Sequence, residues 1–391
     1  MGRRQGCEPP PELTKRWPLG IDRIKQIWDA NADGRLLAFF CSVAESYEPH
    51  ITISQYLLAG PRAYHVLHPE NVEAVLSTNF KGKAPRGSLF AVFGDLIHVP
   101  SSGVDYGFGS RPTVFAPLLG KGIFTQEGAP WKHSRELLRK QFTRAKYRNL
   151  ELSFCEHVDN LIDRMPVDGV VDLQPLFFNL TLDTTTALLF GSSVYSLRAD
   201  VDQAADNKIF SESFGIAQEG LAKRFRLAPF HSLYNPPSFA RACRNVHRFV
   251  EDYIESEGLL QKLSTREESF GENASWFIEQ VASESETITE LRDQLLNVLL
   301  AGRDTTACCL SWTLYVLLGL AIIQNKNSPH SSRLLVRHPH VMERVRREIT
   351  TAIQDSASPT REDIQKMPFL ACVIKESMSI KTLLFMCGCG I

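Results

Sequence analysis

The sequence predicts a mainly α-helical protein with one small β-sheet, and three observations carry that prediction. A helix-periodic apolar pattern runs from Thr287 to Gln324. Two β-type runs, His50 to Leu58 and Ala63 to Leu67, flank a Gly60-Pro61 turn and read as a hairpin. Most of the remaining patterned text, including 150–164, 173–189 and 337–353, keeps helical spacing.

Composition narrows the class. The 391 residues are 43% hydrophobic and 22% charged, enough for one large core or two domains. A net charge of -1 gives no electrostatic footprint for nucleic acid, so no nucleic-acid partner is expected. The nine cysteines (7, 41, 155, 243, 308, 309, 372, 387, 389) show no paired spacing, which excludes a disulfide framework or a zinc site and favours a reducing compartment. Asn179-Leu180-Thr181 and Asn273-Ala274-Ser275 are formal glycosylation sequons, read as chance because no signal peptide accompanies them. No apolar stretch near the start would anchor the chain in a membrane.

In order along the chain, residues 1–20 are rich in Pro, Arg and Lys and read as an extended lead-in. Leu19 to Phe40 reads as an opening helical segment, and the hairpin follows. His68-Pro69-Glu70 then opens a short helix through Leu76, with Pro at its first position. From Lys81 to Pro117 the text is Gly, Pro and Ser with no period, so no element is expected there. Gly122 to Gly128 leads into a helix containing Trp131, Lys132, Arg135, Arg139 and Lys140. Trp131 and Arg135 are four apart, so they share a helical face and present an indole N–H and a guanidinium, both donors suited to carboxylates. Taken alone, that pair is better explained by an amphipathic surface helix with a Trp at its edge. Residues 201–262 read as two helices around Pro229–Pro237, with Phe210, Phe214 and Phe225 as pocket or core aromatics.

The stretch from Thr287 holds the most chemistry. Thr287 with Glu290 three residues on is a capping box. Leu291, Leu295, Val298, Leu299, Gly302, Thr305, Cys309 and Trp312 keep spacing along one face. In the centre, Ala301-Gly302-Arg303-Asp304-Thr305-Thr306 places polar groups where packing alone would prefer Leu or Ile. One reading is a catalytic helix, with Thr305 bonded back to the carbonyl of Ala301 and a hydroxyl and carboxylate able to relay protons. The simpler reading is a buried helix with a satisfied Asp and back-bonded threonines. A membrane span is excluded, because the unbroken run from Leu310 to Ile323 is shorter than the roughly 20 apolar residues a span needs.

The A-G-x-D-T-T pattern late in a long chain resembles the oxygen-binding helix of the cytochrome P-450 (haem-thiolate monooxygenase) superfamily. The W-x-x-x-R pair of Trp131 and Arg135 resembles the same family's haem-propionate anchor. Gly122–Gly128, Phe177–Asp183 and Phe190-Gly191 resemble its fungal alkane- and fatty-acid-hydroxylating group. The resemblance implies the P-450 fold and haem b iron as cofactor. Electrons would come from NADPH through a flavoprotein NADPH–cytochrome reductase, and the substrate would be a long-chain apolar molecule. It assigns Asp304 and Thr305 to proton delivery, and Trp131, Arg135, Ala301 and Gly302 to haem binding. The basic run of Lys132, Arg139, Lys140, Arg144, Lys146 and Arg148 would suit an acidic electron donor. The family usually sits on the endoplasmic reticulum membrane facing the cytosol; the location of this chain is left open.

Departures from the family are as informative. Glu376 should be followed three residues later by Arg, and Ser379 stands there. The cysteine loop that ligates haem iron does not occur, and Cys387 and Cys389 lack its Phe and Arg. The chain is therefore expected to be a single, incomplete P-450 domain over 1–391, with poorly matching inserts at about 82–104 and 319–334 and an unrelated tail at 378–391. Translated introns would produce all three. In this form it is expected to be inactive, with Glu376 short of a partner and with Leu299, Cys309 and Trp312 exposed. A non-catalytic apo protein that binds at most an apolar ligand is the alternative.

Overall fold

Antiparallel pairing of the two β-type runs starts the fold. The computed structural model describes residues 9–14, 17, 20–33, 35–50, 52–56, 62–73, 90–92, 95–97, 111–144, 150–168, 171–198, 205–227, 230–256, 276–318, 339–353 and 359–388. Strand β1 (Thr52–Tyr56) pairs β2 (Arg62–Val66), with Ser54 opposite Tyr64. The lead-in adds to this ribbon, because Leu13 N–H donates to Ser54 O at 2.7 Å and Ser54 N–H donates to Pro11 O at 2.8 Å. Ile53 and Val66 bury beneath it. The Gly60-Pro61 turn lies outside the described residues.

The opening segment is two helices, α1 (Ile21–Ala32) and α2 (Leu36–Glu45), rather than one. The α1 pattern closes as Asp33 N–H returns to Asp29 O and Arg35 N–H to Ala30 O. The short helix after the hairpin is α3 (Pro69–Glu73), begun by proline as expected. Most of the proposed insert at 82–104 lies outside the described residues, apart from the small antiparallel pair β3 (Phe90–Val92) and β4 (Asp95–Ile97). The region around 319–334 lies wholly outside them.

The stretch up to Pro117 is not without structure. Helix α4 (Arg111–Leu119) occupies its end, with Val114, Leu118 and Leu119 fully buried. Pro117 hides this helix from a sequence reading, because a proline inside a helix removes the N–H that would pair with the carbonyl four residues back. That carbonyl, Thr113 O, accepts a bond from Arg224 Nη2 at 3.3 Å instead. Gly122–Gly128 then folds tightly on Thr125. Its hydroxyl donates to Gly120 O at 2.7 Å and accepts from Gly122 N–H at 2.9 Å. Gly128, at φ +62°, opens α5 (Gly128–Arg144).

The chain continues through α6 (Leu150–Asp163), α7 (Leu173–Phe190), α8 (Ala205–Arg226), a 3₁₀ turn at His231–Leu233, α9 (Pro237–Ser256) and α10 (Trp276–Ser283). It then runs through α11 (Ile288–Leu318), α12 (Pro339–Ala352), α13 (Arg361–Gln365) and α14 (Pro368–Gly388). Two helices do flank the Pro229–Pro237 region, as the sequence predicts.

The residues fall into two compact units: one of Met1–Ser134, Ala217–Ala240 and Leu384–Ile391, the other of Arg135–Ile216 and Arg241–Leu383. The second unit is built on α7 against α11. The polar face of α7 is buried without strain, since Thr181, Thr184 and Thr186 each donate back to the carbonyl four residues earlier. Asp183, fully buried, accepts the N–H groups of Ser196 at 2.7 Å and Leu197 at 3.0 Å and so holds the turn after α7. Burial pushes its carboxyl above the usual carboxylate range, and those two N–H bonds oppose the shift.

Candidate functional site

Helix α11 begins where its cap says it should. Thr287 Oγ1 accepts the Glu290 N–H at 3.1 Å, while the Glu290 carboxylate reaches one residue further back, to Glu286 N–H at 3.1 Å. Its N-terminal half is buried nearly all round, with Leu291, Leu295, Leu296, Asn297 and Leu299 closed off from solvent. Beyond that the buried stripe advances in steps of four from Leu299 through Arg303 to Ala307, which packs with Leu161, Phe177, Leu180 and Leu197. The expected stripe through Thr305, Cys309 and Trp312 is therefore displaced: Thr305 is exposed, and Cys309 and Trp312 are half-buried. Leu299, expected to be uncovered, is fully buried. Glu376 is exposed and carries no burial penalty.

Gly302, expected beside a cofactor, presents its Cα to α7. A Cβ at this position would stand 2.9 Å from both Cγ2 and Oγ1 of Thr185, closer than packed side chains approach. The glycine lets two helices cross closely.

Of the polar residues that follow, Thr305 and Asp304 have partners on the helix itself, while Arg303 Nε is buried without a hydrogen bond. Thr305 Oγ1 donates to Ala301 O at 2.7 Å, the back-bond the sequence predicts, and its hydroxyl oxygen stays on an exposed face. Asp304 accepts from Arg303 Nη1 at 3.1 Å. Arg303 itself is buried, its guanidinium carbon 4.8 Å from the centre of the Phe178 ring and 5.3 Å from that of Phe214. Burial lowers the Arg303 pKa and the Asp304 charge opposes that shift. Arg303 is the residue that sequence reasoning passed over. Only its charge was visible there, and the two rings that enclose it come from distant helices.

Trp131 and Arg135 lie on α5, four residues apart, Trp131 half-buried and Arg135 exposed. Of the basic run, Lys140 pairs with Glu284 at 3.0 Å, a half-exposed bridge of small worth. Lys146 and Arg148 lie outside the described residues. Phe210 and Phe214 are fully buried, Phe210 stacking on Phe249 at 4.2 Å, and Phe225 stacks on Phe115 at 5.7 Å.

The sequence matches the cytochrome P450 family over residues 103–326 and 333–384, more than half of its length. The chain belongs to the cytochrome P450 family. A cytochrome P450 of Arthroderma benhamiae is 35% identical over 383 residues, covering 96% of this chain and 64% of the relative. Cytochrome P450 52-E3 of Starmerella bombicola is 31% identical over 389 residues, covering 97% and 66%. This P450 chain thus spans between about half and just under two thirds of the length of the curated relatives it matches. The crystal structure of the cytochrome P450DA heme domain superposes with a TM-score of 0.66 at 17% identity, covering 95% of this chain and 70% of that one, and shares the fold.

Family membership implies haem iron as the cofactor. Taken separately, the two residue sets fit it. The Trp131 and Arg135 donors suit propionates, and on α11 the half-buried Ala301 and the exposed, hydroxyl-bearing Thr305 share one face. The free cysteines among the described residues are Cys41, Cys155, Cys243, Cys308, Cys309 and Cys372, none within the family's cysteine loop. Cys389 and the side chain of Cys387 lie outside those residues. No helix among the described residues is long and apolar enough to cross a membrane.

Proposed function

We propose that this P450 serves a haem-dependent monooxygenase that hydroxylates a long-chain alkane or fatty acid, with O2 and with NADPH-derived electrons passed on by a flavoprotein reductase. The observation that carries this reading is the middle of α11, where an exposed Thr305 hydroxyl, back-bonded to Ala301 O, follows directly on Asp304. Haem, when bound, supplies the activation of dioxygen. Trp131 and Arg135 would hold its propionates, and Ala301 would line the face that Thr305 opens. Thr305 can accept a proton-bearing partner at Oγ1 and pass a proton on, while Asp304 holds charge beside it. The substrate class rests on the likeness of Gly122–Gly128, Phe177–Asp183 and Phe190-Gly191 to the alkane- and fatty-acid-hydroxylating group. The exposed Lys132 and Arg139 of α5 suit an acidic redox partner.

A second reading, an apo helical protein binding at most an apolar ligand, is favoured by Ser379 at the place of the family's arginine. The carbon-monoxide difference spectrum of the reduced protein separates the two. These residues extended by the family's cysteine loop should give a thiolate-type Soret band, and these residues alone should give none. In the loop-bearing protein, Thr305→Ala should uncouple electron use from product formation. A loop-bearing protein without the band, or with unchanged coupling in Thr305→Ala, overturns the reading.

A further inference from the structure

Neighbouring residues on a helix do not face one another, because successive side chains diverge by roughly 100° around the axis. Arg303 and Asp304 are neighbours, yet Nη1 stands 3.1 Å from Oδ1. Such a contact is not by itself unusual on this helix, where Arg292 reaches Asp293 at 2.6 Å; what sets Arg303 apart is a support that holds its stem. The structure supplies it in two rings from two other helices, Phe178 of α7 and Phe214 of α8, which flank the guanidinium at 4.8 and 5.3 Å. Phe214 is fully buried, and the Arg303 and Asp304 side chains are only 10% and 14% exposed, so water competes little for the pair. A planar guanidinium suits such a slot, because it stacks on ring faces while its edge still donates.

We propose that Arg303 is a positioning residue, fixed between Phe178 and Phe214, that holds in one orientation the carboxylate of Asp304, the residue before Thr305. This deepens the reading of Asp304 as part of a proton path and rests on it. Lysine cannot replace arginine here: its ammonium is a point charge with no plane to stack and no fork to aim. The Phe214 ring also makes the carboxylate sensitive to the placement of α8, two helices being tied to one acid through one side chain.

The test begins without haem. The infrared difference between the parent chain and Asp304→Asn isolates the Asp304 carboxylate band. In Arg303→Met that band should move to the position of a carboxylate in water or give way to a protonated-acid carbonyl. In Phe214→Leu, which keeps both charges, it should broaden. Phe214→Leu and Arg303→Lys carry the test if Arg303→Met does not fold. A band unchanged in these variants overturns the proposal. In the haem-loaded protein Arg303→Lys should lower kcat about tenfold with KM held within about twofold, as a displaced proton path requires. A displaced band with unaltered kcat would uphold the Arg303 contact, sink its role in turnover, and leave haem binding and the family unaffected.

Discussion

Two buried arginines solve the same problem in different ways. Arg224 and Arg303 are 7% and 8% exposed, so each guanidinium has left water almost completely. Arg224, in the first unit, donates to four backbone carbonyls: Val114 at 3.1 Å, His231 at 3.2 Å, Tyr234 at 2.9 Å and Thr113 at 3.3 Å. Arg303, in the second, has a carboxylate at 3.1 Å and an aromatic slot. Carbonyls of turns and helices cannot swing away, so Arg224 is a fixed bracket across α4, α8 and the His231–Leu233 turn. A carboxylate side chain can rotate, so Arg303 holds a group that is able to act. The partner, rather than the burial, separates a structural arginine from a functional one.

The comparison breaks most visibly at Arg224. Arg224→Met should lose on the order of 3–5 kcal/mol in denaturant unfolding, since it leaves several buried carbonyls without donors. A second change checks the cause. Pro117→Ala restores an N–H to the helix and should return about 1 kcal/mol in the Arg224→Met background by serving Thr113 O, with a smaller effect in the parent. Equal effects in both backgrounds would show that the freed carbonyl is not what Arg224 satisfies.

Gly302 sharpens the other side. Gly302→Ala should cost about 2 kcal/mol, because the new Cβ meets Thr185 and nothing lets both helices keep their crossing. It also pushes on α7, which carries Phe178, so the infrared signature of Asp304 should shift while the Arg224 bracket stays intact. Thr185→Ala should recover most of the loss. Stability untouched by Gly302→Ala would remove the close crossing from the account.

The smallest effect is one of pH, and it belongs to neither arginine. His65 on β2 has its pKa lowered to about 4 by burial, with Arg23 adding to the shift. The folded state therefore binds fewer protons than the unfolded chain between about 4 and 6.5. The stability it contributes is present above pH 6.5 and is lost as the pH falls toward 4. The loss should be on the order of 1–2 kcal/mol after allowance for solvent screening. His65→Gln should flatten that part of the profile; a profile of unchanged slope would assign the loss elsewhere.

What could be read from the sequence was what neighbours in the sequence decide. Thr287 and Glu290 announce a helix start, Pro69 opens α3, and Thr305 finds Ala301 one turn away. The family itself was legible in such local words. What escaped needed partners far off in the chain. Helix α4 was hidden because Pro117 contradicts a helix unless Thr113 O is served by a residue 111 positions on. Arg303 read as one more charge, since neither Phe178 nor Phe214 announces a slot. Gly302 read by resemblance as a haem-binding position, and only the position of Thr185 shows its contact with α7.

The strap of residues 11–13 along β1 has a practical consequence for handling the molecule. It occupies one border of the ribbon through the Leu13 and Ser54 bonds, where an open border would offer a row of donors and acceptors to another chain. A tag, a protease cut or a trimmed start that dislodges Leu13 would leave the melting of the helical body nearly unchanged. It would instead open that border to strand pairing with a second copy of the chain.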